Sequence, residues 1–149
     1  MKFITFGSPK IENKEIKKVS SVLKSGWIGS GPIVKRFEKA FSNYKKIKYA
    51  TAVSSGTSAL HLSMLASNIK PGSEVITTAM TFCSTINAII HAGCKPVLAD
   101  IDSESLCISF ESIKKLTNKK TKAIILVHLY GNTPEIEKIV NFCRKKKYL

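Results

Sequence analysis

From residue 49 onward, short β-prone runs alternate with helical stretches about every 20 to 25 residues, and nothing else in the sequence constrains the fold as tightly. The β runs are Tyr49-Ala50-Thr51-Ala52-Val53, Glu74-Val75-Ile76-Thr77-Thr78, Lys95-Pro96-Val97-Leu98-Ala99-Asp100-Ile101 and residues 122–127. Between them apolar residues recur at helical spacing, as Leu60, Met64 and Leu65 do, and then Ile86, Ile89 and Ile90. Parallel neighbours in a sheet need a long crossover, and a helix supplies it. The pattern predicts an α/β fold, a mostly parallel sheet with helices on both faces.

Upstream the pattern is helical. Residues 12–25 place Ile16, Val19, Val22 and Leu23 on one face and lysines on the other. Gly26 suits a left-handed cap, and Pro32 suits the first turn of a second helix carrying Val34, Phe37, Phe41 and Tyr44. Residues 1–48 therefore form an N-terminal helical segment, and residues 49–149 the α/β part. Downstream, Ser109 can cap a helix running to about Leu116, and Pro134 opens a last one with Ile136, Ile139, Val140 and Phe142 inward.

Ligands of parallel sheets bind beyond the C-terminal strand ends. Three polar segments fall there: residues 54–58, 80–85 and 128–132. In Ser54-Ser55-Gly56-Thr57-Ser58, a tight turn enters a helix whose first amides lack internal partners and carry partial positive charge. With Gly56 admitting close approach and hydroxyls at hand, this suits a phosphate; the same pattern also serves a plain N-cap. Trp27-Ile28-Gly29-Ser30-Gly31 is either a connector whose Trp packs on a core or a loop that touches a ligand.

Formal net charge is +14, from 24 basic and 10 acidic residues, which raises a polyanionic partner. The basic residues are lysines except Arg36 and Arg144. They are spread over helix surfaces, with Lys145-Lys146-Lys147 the one run. Base reading and bidentate phosphate sites favour Arg, so a nucleic-acid partner is not expected and a Lys-biased genome accounts for the charge. Cys83, Cys94, Cys107 and Cys143 match no zinc spacing and suit free, mostly buried thiols of a reducing compartment. No apolar run spans a bilayer, and the stretch from Met1 to Gly7 is too short for a signal peptide. A cytoplasmic protein with no membrane partner is expected.

Taken together, Ser25-Gly26-Trp27-Ile28-Gly29-Ser30-Gly31-Pro32, Phe37-Glu38, Ser54-Ser55-Gly56-Thr57-Ser58-Ala59-Leu60-His61, Pro71-Gly72-Ser73-Glu74-Val75-Ile76, Thr81-Phe82, residues 96–102 and residues 121–131 resemble the DegT–DnrJ–StrS family of pyridoxal-phosphate-dependent nucleotide-sugar aminotransferases, in order and spacing over nearly the whole chain. The resemblance implies the large domain of a fold-type I aminotransferase. It implies an amino group moved, commonly from glutamate, onto a keto carbon of a nucleotide-linked sugar, in surface polysaccharide or lipopolysaccharide synthesis. By motif, Gly56, Thr57 and Ser58 hold the cofactor phosphate and Phe82 lies against the pyridine ring. Trp27, Ile28, Gly29 and Ser30 contact the nucleotide sugar. His128 and Tyr130 lie near the site, His128 in a structural role. Relatives of this family are dimers with shared sites, which implies a homodimer at full length.

The family's next strand carries an acid that pairs with the pyridine nitrogen, and a later segment carries the lysine that anchors the cofactor aldehyde. Neither position has a counterpart here, because Tyr148-Leu149 stands where that strand begins. The expectation is an N-terminal fragment, without the small C-terminal domain and without turnover of its own. Two alternatives stand beside it: a dehydratase relative with histidine for the lysine, and a non-catalytic basic binding module or remnant.

Overall fold

The computed structural model describes residues 7–149 and divides into two compact units, Met1–Ala52 and Val53–Leu149. The sequence pattern puts this division after residue 48. The stretch weighed as a leader lies, up to residue 6, outside the described residues.

The first unit holds α1 (Asn13–Lys24) and α2 (Pro32–Lys45). A capping box starts α1: the Glu12 N–H donates to the Glu15 carboxylate at 2.9 Å. It stops at Gly26, whose φ of 71° is the left-handed conformation expected there. Pro32 occupies the first turn of α2, where its missing N–H costs nothing. Between the helices the chain folds on itself: the Trp27 indole N–H donates to the Ser30 carbonyl at 3.0 Å. The ring lies against Gly31, where an added Cβ would stand 2.2 Å from Nε1. Glycine is required there for lack of bulk, since its backbone is extended. Trp27 is 59% exposed, so the connector with a core-packed Trp is not what forms.

Residues 49–53 are not a strand. An isolated extended run has no ladder to join, and the Ala52 N–H is instead satisfied by the Glu38 carboxylate of α2 at 2.9 Å.

The second unit follows the expected alternation: α3 (Gly56–Ala66), β1 (Glu74–Thr78), α4 (Ser84–His91), β2 (Lys95–Ala99), α5 (Phe110–Leu116), β3 (Thr121–Ile124), a 3-10 turn (Leu129–Gly131) and α6 (Ile136–Lys146). The three strands pair in parallel in the order β2-β1-β3. Pro96 cannot donate to a ladder, and β2 tolerates it as an edge strand. Beyond Ala99 pairing stops, apart from an antiparallel bridge of Ile101 to Ile108. Past β3 the Ile125 N–H still reaches the Ile76 carbonyl at 2.9 Å, so the extended run outlasts its ladder.

Side chains of a strand alternate between faces, and here each face has its own core. Val75 and Ala123 pack with Met64, Ile89 and Cys94 under α3 and α4. Ile76, one residue on, packs with Ala99, Ile108, Ile113 and Ile139 under α5 and α6. Helices thus cover both faces. Cys94 and Cys107 are buried, Cys143 is half-buried and Cys83 is exposed; burial pushes the thiols of Cys94 and Cys143 up from their ordinary range. Leu149 adds a rung outside β3: its N–H donates to the Lys122 carbonyl at 3.1 Å and its carbonyl accepts from Ile124 at 3.0 Å. That is parallel pairing, at the residues where a further strand was expected to begin.

Ile76 is fully buried. Ile76→Ala is expected to cost about 2–5 kcal/mol in denaturant unfolding; a loss under about 1 kcal/mol would contradict a core centred on β1. Gly31→Ala is expected to displace the indole and leave stability within about 1 kcal/mol. Trp27 is the single tryptophan, so its emission and acrylamide quenching report the displacement directly; unchanged spectra would refute the packing.

Candidate functional site

The turn at residues 54–58 is built as a helix start with two amides to spare. Ser55 is the N-cap of α3: its hydroxyl accepts from the Ser58 N–H at 3.1 Å and lies 3.0 Å from the Ser58 hydroxyl, while its carbonyl accepts from the Ala59 N–H at 3.1 Å. The N–H groups of Gly56 and Thr57 have no acceptor among the described residues. A Cβ built on Gly56 meets nothing within 4 Å, so open space lies in front of them. No acidic residue stands in this first turn. Two unfilled donors, the positive end of a helix and an exposed Thr57 hydroxyl together suit a small dianion.

Phe82 lies in the loop that carries the chain from β1 to α4, at the C-terminal edge of the sheet. Thr78 is buried at the end of β1, and its hydroxyl accepts from the Met80 N–H at 3.2 Å. The Thr81 and Thr85 hydroxyls bond across the loop at 2.8 Å. These bonds fix the loop while leaving Phe82 76% exposed, a flat apolar ring with no intramolecular cover. α4, which follows Phe82, packs on α3, which the turn begins; His61 and His91 meet edge to face with centroids 5.8 Å apart.

Of the sequence-predicted residues, the structure gathers Gly56, Thr57 and Ser58 in one turn, and puts Phe82 at the strand end of the same unit. Trp27, Ile28, Gly29 and Ser30 form their own loop in the first unit, with Ile28 75% exposed. His128 enters the 3-10 turn through its carbonyl, which accepts from the Gly131 N–H at 3.1 Å, rather than through its ring. Tyr130 is left-handed at φ 53° and 82% exposed. Residues not singled out by sequence support this edge. Asn132 donates to the Ser105 carbonyl at 3.1 Å, tying the loop after β3 to the one after β2. Asp102 accepts from the backbone N–H and hydroxyl of Ser105, and these bonds hold its carboxyl below the usual range. A local signal existed in each case, a short polar side chain in a turn; Asp102 bonds three residues on, whereas the partner of Asn132 is remote in sequence. A cleft of about 400 Å³ between these loops is lined by Asp102, Ser105, Glu111 and Glu135 and includes neither the α3 turn nor Phe82.

The comparisons agree with this fold. A family model described as the DegT/DnrJ/EryC1/StrS aminotransferase family matches residues 9–149. GDP-perosamine synthase of Vibrio cholerae is 42% identical over 136 residues, which are 91% of this chain and 37% of that protein. A putative sugar aminotransferase of Streptococcus pneumoniae, solved in its PMP form, superposes with a TM-score of 0.88 at 34% identity, over 96% of this chain and 36% of that one. GDP-4-keto-6-deoxy-D-mannose-3-dehydratase of E coli, solved with hydrated PLP, gives 0.87 at 31% identity, over 95% and 38%. The chain spans little more than a third of these relatives. With the family model covering all but its first residues, the chain belongs to the DegT/DnrJ/EryC1/StrS aminotransferase family.

Proposed function

We propose that this chain is the phosphate-cradle portion of the large domain of an enzyme that moves an amino group, commonly from glutamate, onto a keto carbon of a nucleotide-linked sugar, for surface polysaccharide or lipopolysaccharide synthesis, in the cytoplasm and as a homodimer at full length. The observation that carries it is the α3 turn: a capped helix start whose Gly56 and Thr57 amides face open space. The residues present fit the phosphate of pyridoxal phosphate by charge, by donor count and by the absence of a Cβ at Gly56.

In this proposal the Gly56 and Thr57 amides and the Thr57 and Ser58 hydroxyls bind the phosphate. Ser55 holds the first turn of α3 in place through its own bonds to Ser58 and Ala59. Phe82 sets the plane of the pyridine ring and keeps water from one face. Trp27, with its N–H spent on Ser30, offers a flat surface to the nucleotide sugar, together with Ile28 and Gly29. Bound, the cofactor supplies the electron sink for the transfer. A second reading, dehydration of a keto sugar, is favoured by the superposition on the E coli dehydratase.

The cradle is tested with pyridoxamine 5′-phosphate, which lacks the aldehyde and so cannot condense with surface lysines. Calorimetry is expected to show binding that inorganic phosphate displaces. Thr57→Ala should weaken it about 10-fold and Phe82→Ala several-fold, with unfolding free energies held within about 0.5 kcal/mol of wild type. Binding indifferent to both substitutions would refute the assignment. The activity is tested separately. Residues 1–149 alone are expected to release no 2-oxoglutarate from glutamate and a keto nucleotide sugar. The coding sequence past Leu149 is expected to encode an acidic strand end and then a lysine. A histidine in the lysine's place would establish the dehydratase, and a frame with neither would overturn both readings.

A further inference from the structure

The lysines that look scattered in sequence converge on one edge of the second unit. It is the edge where the strands begin, opposite the one that carries Phe82. Tyr148, just past α6, donates from its hydroxyl to the Asn118 carbonyl at 3.4 Å, and the Leu149 N–H reaches the Lys122 carbonyl. The end of α6, with Lys145, Lys146 and Lys147, is thereby joined to the turn with Lys119, Lys120 and Lys122. The Lys122 ammonium even donates to the Lys119 carbonyl at 3.2 Å. The cluster runs on along the edge: the Lys120 carbonyl accepts from the Glu74 N–H, and the Ser73 carbonyl and N–H bond Lys95 and Lys70.

All these lysines are exposed, and none belongs to an ion pair among the described residues. The carboxylate at this edge, Glu74, is engaged by the Asn118 amide at 2.6 Å. Favourable interaction with a helix C-terminus accounts for Lys145 and Lys146 but not for Lys95, Lys119, Lys120 or Lys122, which lie in strands or a turn. Surfaces normally intersperse the two signs, and a single-sign edge creates a long-range field that attracts counter-charged partners.

The chemistry of the edge selects among polyanions. Its cations are ammonium groups apart from the Arg144 guanidinium in the last turn of α6, and such compact point charges suit a diffuse phosphate layer rather than bidentate recognition. Within the second unit this edge has no exposed aromatic ring on which bases could stack: Tyr148 is half-buried, and Phe82 and Tyr130 follow the C-terminal ends of their strands. We propose that the N-terminal edge of the sheet docks reversibly on an anionic phospholipid bilayer. Because Phe82 lies at the opposite edge, such docking leaves the C-terminal strand ends facing water. The inference is independent of the aminotransferase assignment.

The experiment is sedimentation of the 149-residue chain with phosphatidylcholine vesicles, with and without about 30% phosphatidylglycerol. Binding is expected only to the anionic vesicles and is expected to fall steeply with salt. Lys119→Glu, Lys120→Glu and Lys145→Glu together should abolish it, each lysine being worth roughly fivefold. Lys17→Glu, Lys18→Glu and Lys24→Glu on α1 make the same change in net charge and should leave most of it. A Lys→Gln triple at the three edge positions, with wild-type circular dichroism, guards against misfolding and should also lose binding. Equal binding to neutral vesicles, equal loss in the α1 variant, or salt-sensitive retention on duplex DNA without vesicle binding would each overturn the proposal.

Discussion

The second unit depends on β1 being buried on both faces. Val75 and Ile76 are adjacent in sequence and each fully buried, yet they serve different cores. A two-sided strand commits the chain to helices above and below, and parallel pairing on both sides supplies the connections that hold them. β1 also fixes the polar end of the sheet. Thr77 and Thr78 are buried at its C-terminus and spend their hydroxyls on the Ile125 carbonyl and the Met80 N–H. The strand thus places the loop that carries Phe82 at the edge where a ligand of such a sheet binds.

How far the sequence could be read follows from what each element needs. β1, α3 and α5 announce themselves locally: Ser55 and Ser109 are N-caps whose hydroxyls accept from Ser58 and Ser112, three residues on. Residues 49–53 show the limit. Their β propensity is genuine, but a strand is a property of a pair, and Ala52 finds a carboxylate instead of a ladder. Long-range polar contacts were equally silent, because the bonds of Asn132 to Ser105 and of Asn118 to Glu74 join segments that no local spacing relates. Trp27 was legible as a special residue, but the reason for Gly31 was not. The glycine is there for the indole, not for the backbone.

The α3 turn illustrates how site and scaffold share chemistry. A helix start carries four amides without internal partners, and the chain can satisfy them or leave them for a ligand. Here the Ser55 side chain takes that of Ser58, and its carbonyl accepts the first intrahelical bond from Ala59, which secures the helix, while the amides of Gly56 and Thr57 remain available. An ordinary cap and a phosphate cradle are therefore not competing descriptions of residues 54–58. The cap makes the cradle rigid.

The same polarity sorts charge within the second unit. A parallel sheet with crossover helices sets strand C-termini and strand N-termini at opposite edges, and helices run back between them. Helix C-termini favour cations, and α1, α2, α5 and α6 each carry basic residues in the last turn. The first turn of α3 carries hydroxyls and glycine and no charge of either sign. Within the second unit, lysines that follow this rule meet lysines that do not, such as Lys119 and Lys120, along the edge where strands begin. A net charge that reads in sequence as a compositional bias thereby becomes a directional one. One edge repels cations and attracts anionic surfaces, while the other offers a few neutral donors that only a bound anion would complete.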